Sequence, residues 1–124
     1  KDDKQSVQDE VAMEVNLKPT ENEYKTRLEQ KIVISKENPD PVFDLSDCNL
    51  EKVPISFAYL KVIRKEVLIL GKNRLKSLAS GGELRELELL KVLDLSHNRF
   101  KAIPAEICHL KNIRVSHKNI LMHT

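Results

Sequence analysis

The sequence predicts an α/β fold: a short solenoid of stacked repeats, with parallel strands on the concave face and a capping helix at the N-terminal end. One apolar pattern recurs three times at a constant interval of 25 residues. It runs Phe43-x-Leu45-x-x-Cys48-x-Leu50-x-x-Val53-Pro54, then Leu68-x-Leu70-x-x-Asn73-x-Leu75-x-x-Leu78, then Leu93-x-Leu95-x-x-Asn98-x-Phe100-x-x-Ile103-Pro104. Each unit supplies one short strand and a return segment, and no unit can bury its apolar edge alone, so the units must stack. A second observation is the capped amphipathic helix that directly precedes the first unit.

Residues 1–19 are polar, alternate in charge, and contain neither glycine nor an aromatic side chain. Val7, Val11 and Val15 make a thin stripe at four-residue spacing, too little to offset the ordering cost, and a disordered tail is predicted. A capping helix follows over residues 20–38. Thr20-x-x-Glu23 is a capping box, in which hydroxyl and carboxylate each satisfy an orphaned backbone N–H. Tyr24, Leu28 and Ile32 then recur every fourth residue with Arg27, Glu29 and Lys31 around them, until Asn38-Pro39-Asp40-Pro41 stops the helix. Covering the open edge of the first repeat is the role such a position demands.

The repeats occupy residues 39–112, about three units of 25 residues, with strands centred on 42–45, 67–70 and 92–95. The returns read as helical. Ser56–Lys65 is rich in Leu, Ile, Lys and Arg, Leu84, Leu87 and Leu90 recur at helical spacing, and Ala105-Glu106-Ile107-x-x-Leu110 closes the third unit. Residues 113–124 read as a degenerate, truncated fourth repeat. Val115-Ser116-His117-Lys118-Asn119-Ile120 echoes Leu95–Phe100 after only 20 residues, with Lys118 at the ladder position. A stop on an exposed edge predicts a fragment, an alternative product or a faulty gene model, and an edge that self-associates.

The form L-x-L-x-x-N/C-x-L identifies the chain as a member of the leucine-rich-repeat family. Within it, Arg27-Leu28-Glu29, Asp44-Leu45-Ser46-Asp47-Cys48, Arg64-Lys65-Glu66-Val67-Leu68-Ile69 and Lys91-Val92-Leu93-Asp94-Leu95 resemble the N-terminal region of the leucine-rich-repeat and sterile-alpha-motif E3 ubiquitin ligases. The resemblance covers roughly residues 24–111. It implies a partner- or substrate-recognition segment. The RING cysteines and histidines of such ligases have no counterpart in this chain, so no catalytic residue is carried over.

Cys48, Asn73 and Asn98 form the structural ladder, pointing inward at the strand-to-loop bend to bond backbone groups of adjacent turns. Alternation along the strands turns Val42, Val67 and Val92 away from the leucine core, together with Asp44, Ile69 and Asp94. Lys72 and His97 continue this surface past the strand ends, beside Ser46, Gly71 and Ser96. An apolar stripe beside carboxylates in stacked columns suits a protein partner.

Other chemistry is excluded or weak. A net charge of +2 carries no argument for nucleic acid, and no apolar run nears the about 18 residues of a membrane span. Gly71-Lys72 lacks the phosphate-loop motif. Cys108, His109, His117 and His123 match no zinc-ligand spacing, no nucleophile motif occurs, and neither metal nor cofactor is expected. Cys48 and Cys108 stand in different repeats and are expected to be buried, unpaired thiols, which points to a reducing, cytoplasmic setting. The expected function is a non-catalytic protein-interaction module. The alternative is a free-standing signalling scaffold that docks small GTPases or phosphatases.

Overall fold

The computed structural model describes residues 17–117, so the valine stripe, Lys118 and His123 lie outside the described residues. Helix α1 (Glu21–Glu37) leads into β1 (Val42–Asp44), α2 (Phe57–Val62), β2 (Val67–Ile69), β3 (Val92–Asp94) and β4 (Arg114–Ser116). Single-turn and two-turn 3-10 helices at Ala79–Gly81, Leu84–Leu89 and Ala105–His109 fill the returns between the later strands. The four strands form one parallel sheet in chain order, with every crossover carried by a return segment.

The register follows the 25-residue period: Phe43 pairs with Leu68 and Leu68 with Leu93. Those side chains are fully buried, and so are Leu45, Leu70 and Leu95 two positions on. Below them Leu50, Leu75 and Phe100 form the next buried layer, and Val53 and Leu78 the one after. Phe57 and Leu60 of α2 and Leu87 of the following return close the core from the side opposite the sheet. Gly81 is required there, because a Cβ would strike the buried Phe57 ring.

The N-terminus of α1 has the capping box in both directions: Glu23 N donates to Thr20 Oγ1 at 3.1 Å and Thr20 N to Glu23 Oε1 at 3.4 Å. Leu28 and Ile32 pack against the core. The polar residues on the neighbouring face close the free edge of β1. Asp44 N donates to Ser35 Oγ at 3.1 Å, Lys31 Nζ donates to the Ser46 carbonyl, and Arg27 Nη1 donates to the Asp47 carbonyl at 2.7 Å. Where α1 ends, the buried Lys65 reaches up from the next unit and donates to the carbonyls of Asn38 at 2.9 Å and Asp40 at 2.6 Å.

Three details differ from expectation. The return at Leu84–Leu89 is 3-10 rather than α-helical, with Glu86 N bonded to Glu83 O and Leu90 N to Leu87 O. Three residues per turn is the period that brings Leu84, Leu87 and Leu90 onto one side. Cys108 is exposed, not buried, because Ile107 takes the inward position of its short helix. In β4, Val115 stands beside Leu93 rather than Leu95, a step of 22 residues. The shorter third return, from β3 to β4, sets that register.

Candidate protein-binding face

On the sheet face turned away from the core, the register makes two continuous columns. Val42, Val67, Val92 and Arg114 form one; Asp44, Ile69, Asp94 and Ser116 form the other. Val42 is exposed, Arg114 and Ser116 are exposed, and Val67, Val92, Asp44, Ile69 and Asp94 are half-buried by their neighbours. The last row, from β4, escapes sequence reading because its spacing breaks the period.

Both carboxylates are held in place from their own strand ends. Asp44 Oδ1 accepts from Ser46 N at 2.9 Å, and Asp94 Oδ1 accepts from Ser96 N at 2.9 Å and Ser96 Oγ at 2.6 Å. Lys31 lies 3.8 Å from Asp44, so α1 partly balances that charge. Gly71 is buried and makes room for the Asp94 and Ser96 side chains, since a Cβ there would crowd Ser96 Oγ at 3.1 Å and Asp94 Oδ2 at 3.3 Å. Ile69 thus sits between two fixed carboxylates.

Lys72 and His97 leave the sheet in a left-handed conformation, φ 59° and 55°, and Asp47 does the same at 55°. That bend aims the following asparagine inward. Asn73 Oδ1 accepts from Cys48 N and Leu50 N, both at 3.0 Å, and its amide donates to the carbonyls of Leu45, Leu70 and Gly71. Asn98 repeats the scheme one turn on, accepting from Leu75 N at 2.9 Å and donating to the carbonyls of Leu70, Leu95 and Ser96. Cys48 occupies the same position in the first turn, where its thiol reaches only Ser46 O at 3.3 Å. Burial pushes this thiol up, with Lys31 and Arg27 pulling weakly the other way, so it is held protonated at neutral pH.

Sequence reading expected α1 to cover the edge of the first repeat but missed the polar residues that bond to it. Their signal was available: Arg27, Lys31 and Ser35 recur every fourth residue beside the apolar stripe, and Arg27 also pairs with Asp47 at 2.9 Å. Among the described residues no group of three or more His, Cys, Asp or Glu side chains could hold a metal ion, and no helix is long and apolar enough to cross a membrane.

The leucine-rich-repeat family model matches residues 89–110. The mouse (Mus musculus) protein E3 ubiquitin-protein ligase LRSAM1 is 40% identical over 96 residues, covering 75% of this chain. The chain spans only 13% of the length of that ligase. No solved structure matches significantly. The repeated pattern, the parallel sheet in register with it and these two matches agree: the chain belongs to the leucine-rich-repeat family and resembles a leucine-rich-repeat E3 ubiquitin ligase.

Proposed function

We propose that the chain is a non-catalytic, cytoplasmic protein-interaction module. In this reading it is a short solenoid of three regular repeats and an irregular fourth, closed at its start by α1, and the outward columns form its concave binding face. The observation that carries the reading is the placement of Ile69, an apolar contact with Asp44 and Asp94 as fixed neighbours in one register. A partner can seat an aliphatic side chain there and direct polar or basic groups to either side. The likeness to a ubiquitin ligase fits a segment that recognises a partner or substrate, with ubiquitin transfer performed elsewhere. A buried thiol whose burial favours the protonated form also suits a chain that does no nucleophilic chemistry.

The test is the double substitution Ile69→Lys with Asp94→Lys, which changes the outward columns and leaves the leucine layers intact. Circular dichroism should be unchanged while affinity for a captured partner falls by about 2 kcal/mol or more, as expected for hot-spot residues. Both forms should be inert in a reconstituted ubiquitin-transfer assay. Partners retained equally by parent and variant would remove the binding site from this face.

A further inference from the structure

Beyond the sheet face, a second surface runs along the turns at the C-terminal ends of the strands. After Gly71 the chain reads Lys72-x-Arg74-x-Lys76, and after Ser96 it reads His97-x-Arg99-x-Lys101, one period later. Asn73 and Leu75 are buried, as is Phe100 in the next turn, so the basic residues alternate outward. Lys72, Lys76, Arg99 and Lys101 are all exposed. The two segments run side by side: Lys72 N donates to Ser96 O at 3.0 Å and Arg99 N to Leu75 O at 2.9 Å. Neighbouring rows are therefore about 5 Å apart. Residues 71–82 and 96–105 contain no Asp or Glu. Arg74 of this ridge pairs with Glu51 at 2.8 Å.

That ion pair shows what the ridge accepts. The first turn has Asp47-x-Asn49-x-Glu51 in the positions that are basic in the next two turns. It lies against the second turn through Arg74 N to Leu50 O at 2.7 Å, with the Glu51 carboxylate on Arg74. The molecule thus already lays an acidic side chain beside one basic row.

We propose that the ridge of Lys72, Arg74, Lys76, Arg99 and Lys101 is a docking site for an extended protein segment with carboxylates at alternate positions. Extension matters because side chains two residues apart on an extended segment face one side, as the cations do along each row. Single-stranded nucleic acid fits less well: it needs exposed aromatic faces for base stacking, and Phe100, the aromatic residue of this stretch, is buried. A membrane surface also fits less well, because none of the exposed large apolar side chains (Leu17, Val33, Ile34, Val42, Val62, Leu89) lies on the ridge to insert.

The probe is a short fluorescent Gly/Ser peptide with three glutamates at alternate positions, titrated into the full chain and followed by anisotropy. The comparison peptide has the same composition with the three glutamates contiguous. The alternating peptide should bind several-fold more tightly, and added salt should weaken it. Lys72→Glu combined with Arg99→Glu and Lys101→Glu should weaken binding by about tenfold or more, the product of three exposed contacts worth a few-fold each. All three positions are exposed, so circular dichroism should not change. Ile69→Lys with Asp94→Lys should leave peptide binding intact, which separates this site from the sheet face. Equal binding of both peptides, or no effect of the triple substitution, overturns the proposal. So does tighter binding to phosphatidylserine-containing vesicles or to an oligothymidylate than to the alternating peptide.

Discussion

Asn73 and Asn98 show how one side chain organises a whole turn. Each spends its carbonyl oxygen on amides of the preceding unit and its amide group on carbonyls of two successive units. Removing either leaves several backbone groups unpaired where water has little access, and that desolvation decides the cost. Asn73 is buried and Asn98 only half-buried. Asn73→Ala should therefore cost about 2–3 kcal/mol, and Asn98→Ala about 1–2 kcal/mol because solvent can reach the orphaned groups. Arg99→Ala, one residue on and exposed, should stay within about 0.5 kcal/mol. Urea unfolding of the three variants gives the order directly. A loss for Arg99→Ala equal to that of Asn98→Ala would mean that the turn is held by something other than the asparagine ladder. These positions were legible in the sequence because the period fixes them, whereas Cys108 was not. Its exposure depends on which residue of a five-residue 3-10 helix turns inward, and a single apolar neighbour, Ile107, decides that.

At the scale of elements, the strands of the first three units could be read to within a residue, since alternation and period agree there. The type of the returns could not. Leucines three apart satisfy either kind of helix over so short a span, and local hydrogen bonding settles the choice. The closing role of α1 was half legible. Its apolar stripe announced a helix that packs, but the residues that close the sheet edge are polar and looked like solvated surface. Three of them act on backbone groups of Asp44, Ser46 and Asp47, and they should not be equal. Ser35 is 5% exposed and receives the outward amide of Asp44. Ser35→Ala strands that amide and should cost about 1–2 kcal/mol. Arg27 and Asp47 are an exposed pair with side chains 33% and 56% accessible, so Arg27→Ala should cost less than about 1 kcal/mol. Faster exchange of the Asp44 amide in the serine variant, and not in the arginine variant, would tie the cost to that one bond. If both variants lose the same stability, α1 closes the edge by packing of Leu28 and Ile32 alone.

For the whole molecule, stability in a stack of repeats comes from each unit and its contacts with the units beside it, so the position of a strand in the stack matters as much as its sequence. β2 and β3 have a strand on each side, and β1 has β2 on one side and α1 on the other. Among the described residues β4 has only β3, and its burial runs exposed, half-buried, exposed. The sequence foretold a weakened fourth unit through its broken period, but not that it would still pair, because pairing needs only three residues in register. Native-state hydrogen exchange reads this gradient amide by amide. Leu45 N is bonded to Ile69 O and Leu70 N to Asp94 O, both inside the stack, and these two should exchange only on global unfolding. Leu95 N is bonded to Ser116 O of β4 at 2.7 Å, and Arg114 N to Lys91 O at 2.8 Å. Both bonds break when β4 alone detaches, so Leu95 and Arg114 should exchange through a smaller opening that depends little on denaturant. The comparison of Leu70 with Leu95 is the sharpest, because both side chains are fully buried and both amides occupy the same position in successive turns. Only the strand that accepts the bond differs. If Leu95 proves as slow as Leu70, with the same denaturant dependence, β4 belongs to the cooperative core, and the fourth unit is as much a part of the fold as the regular three.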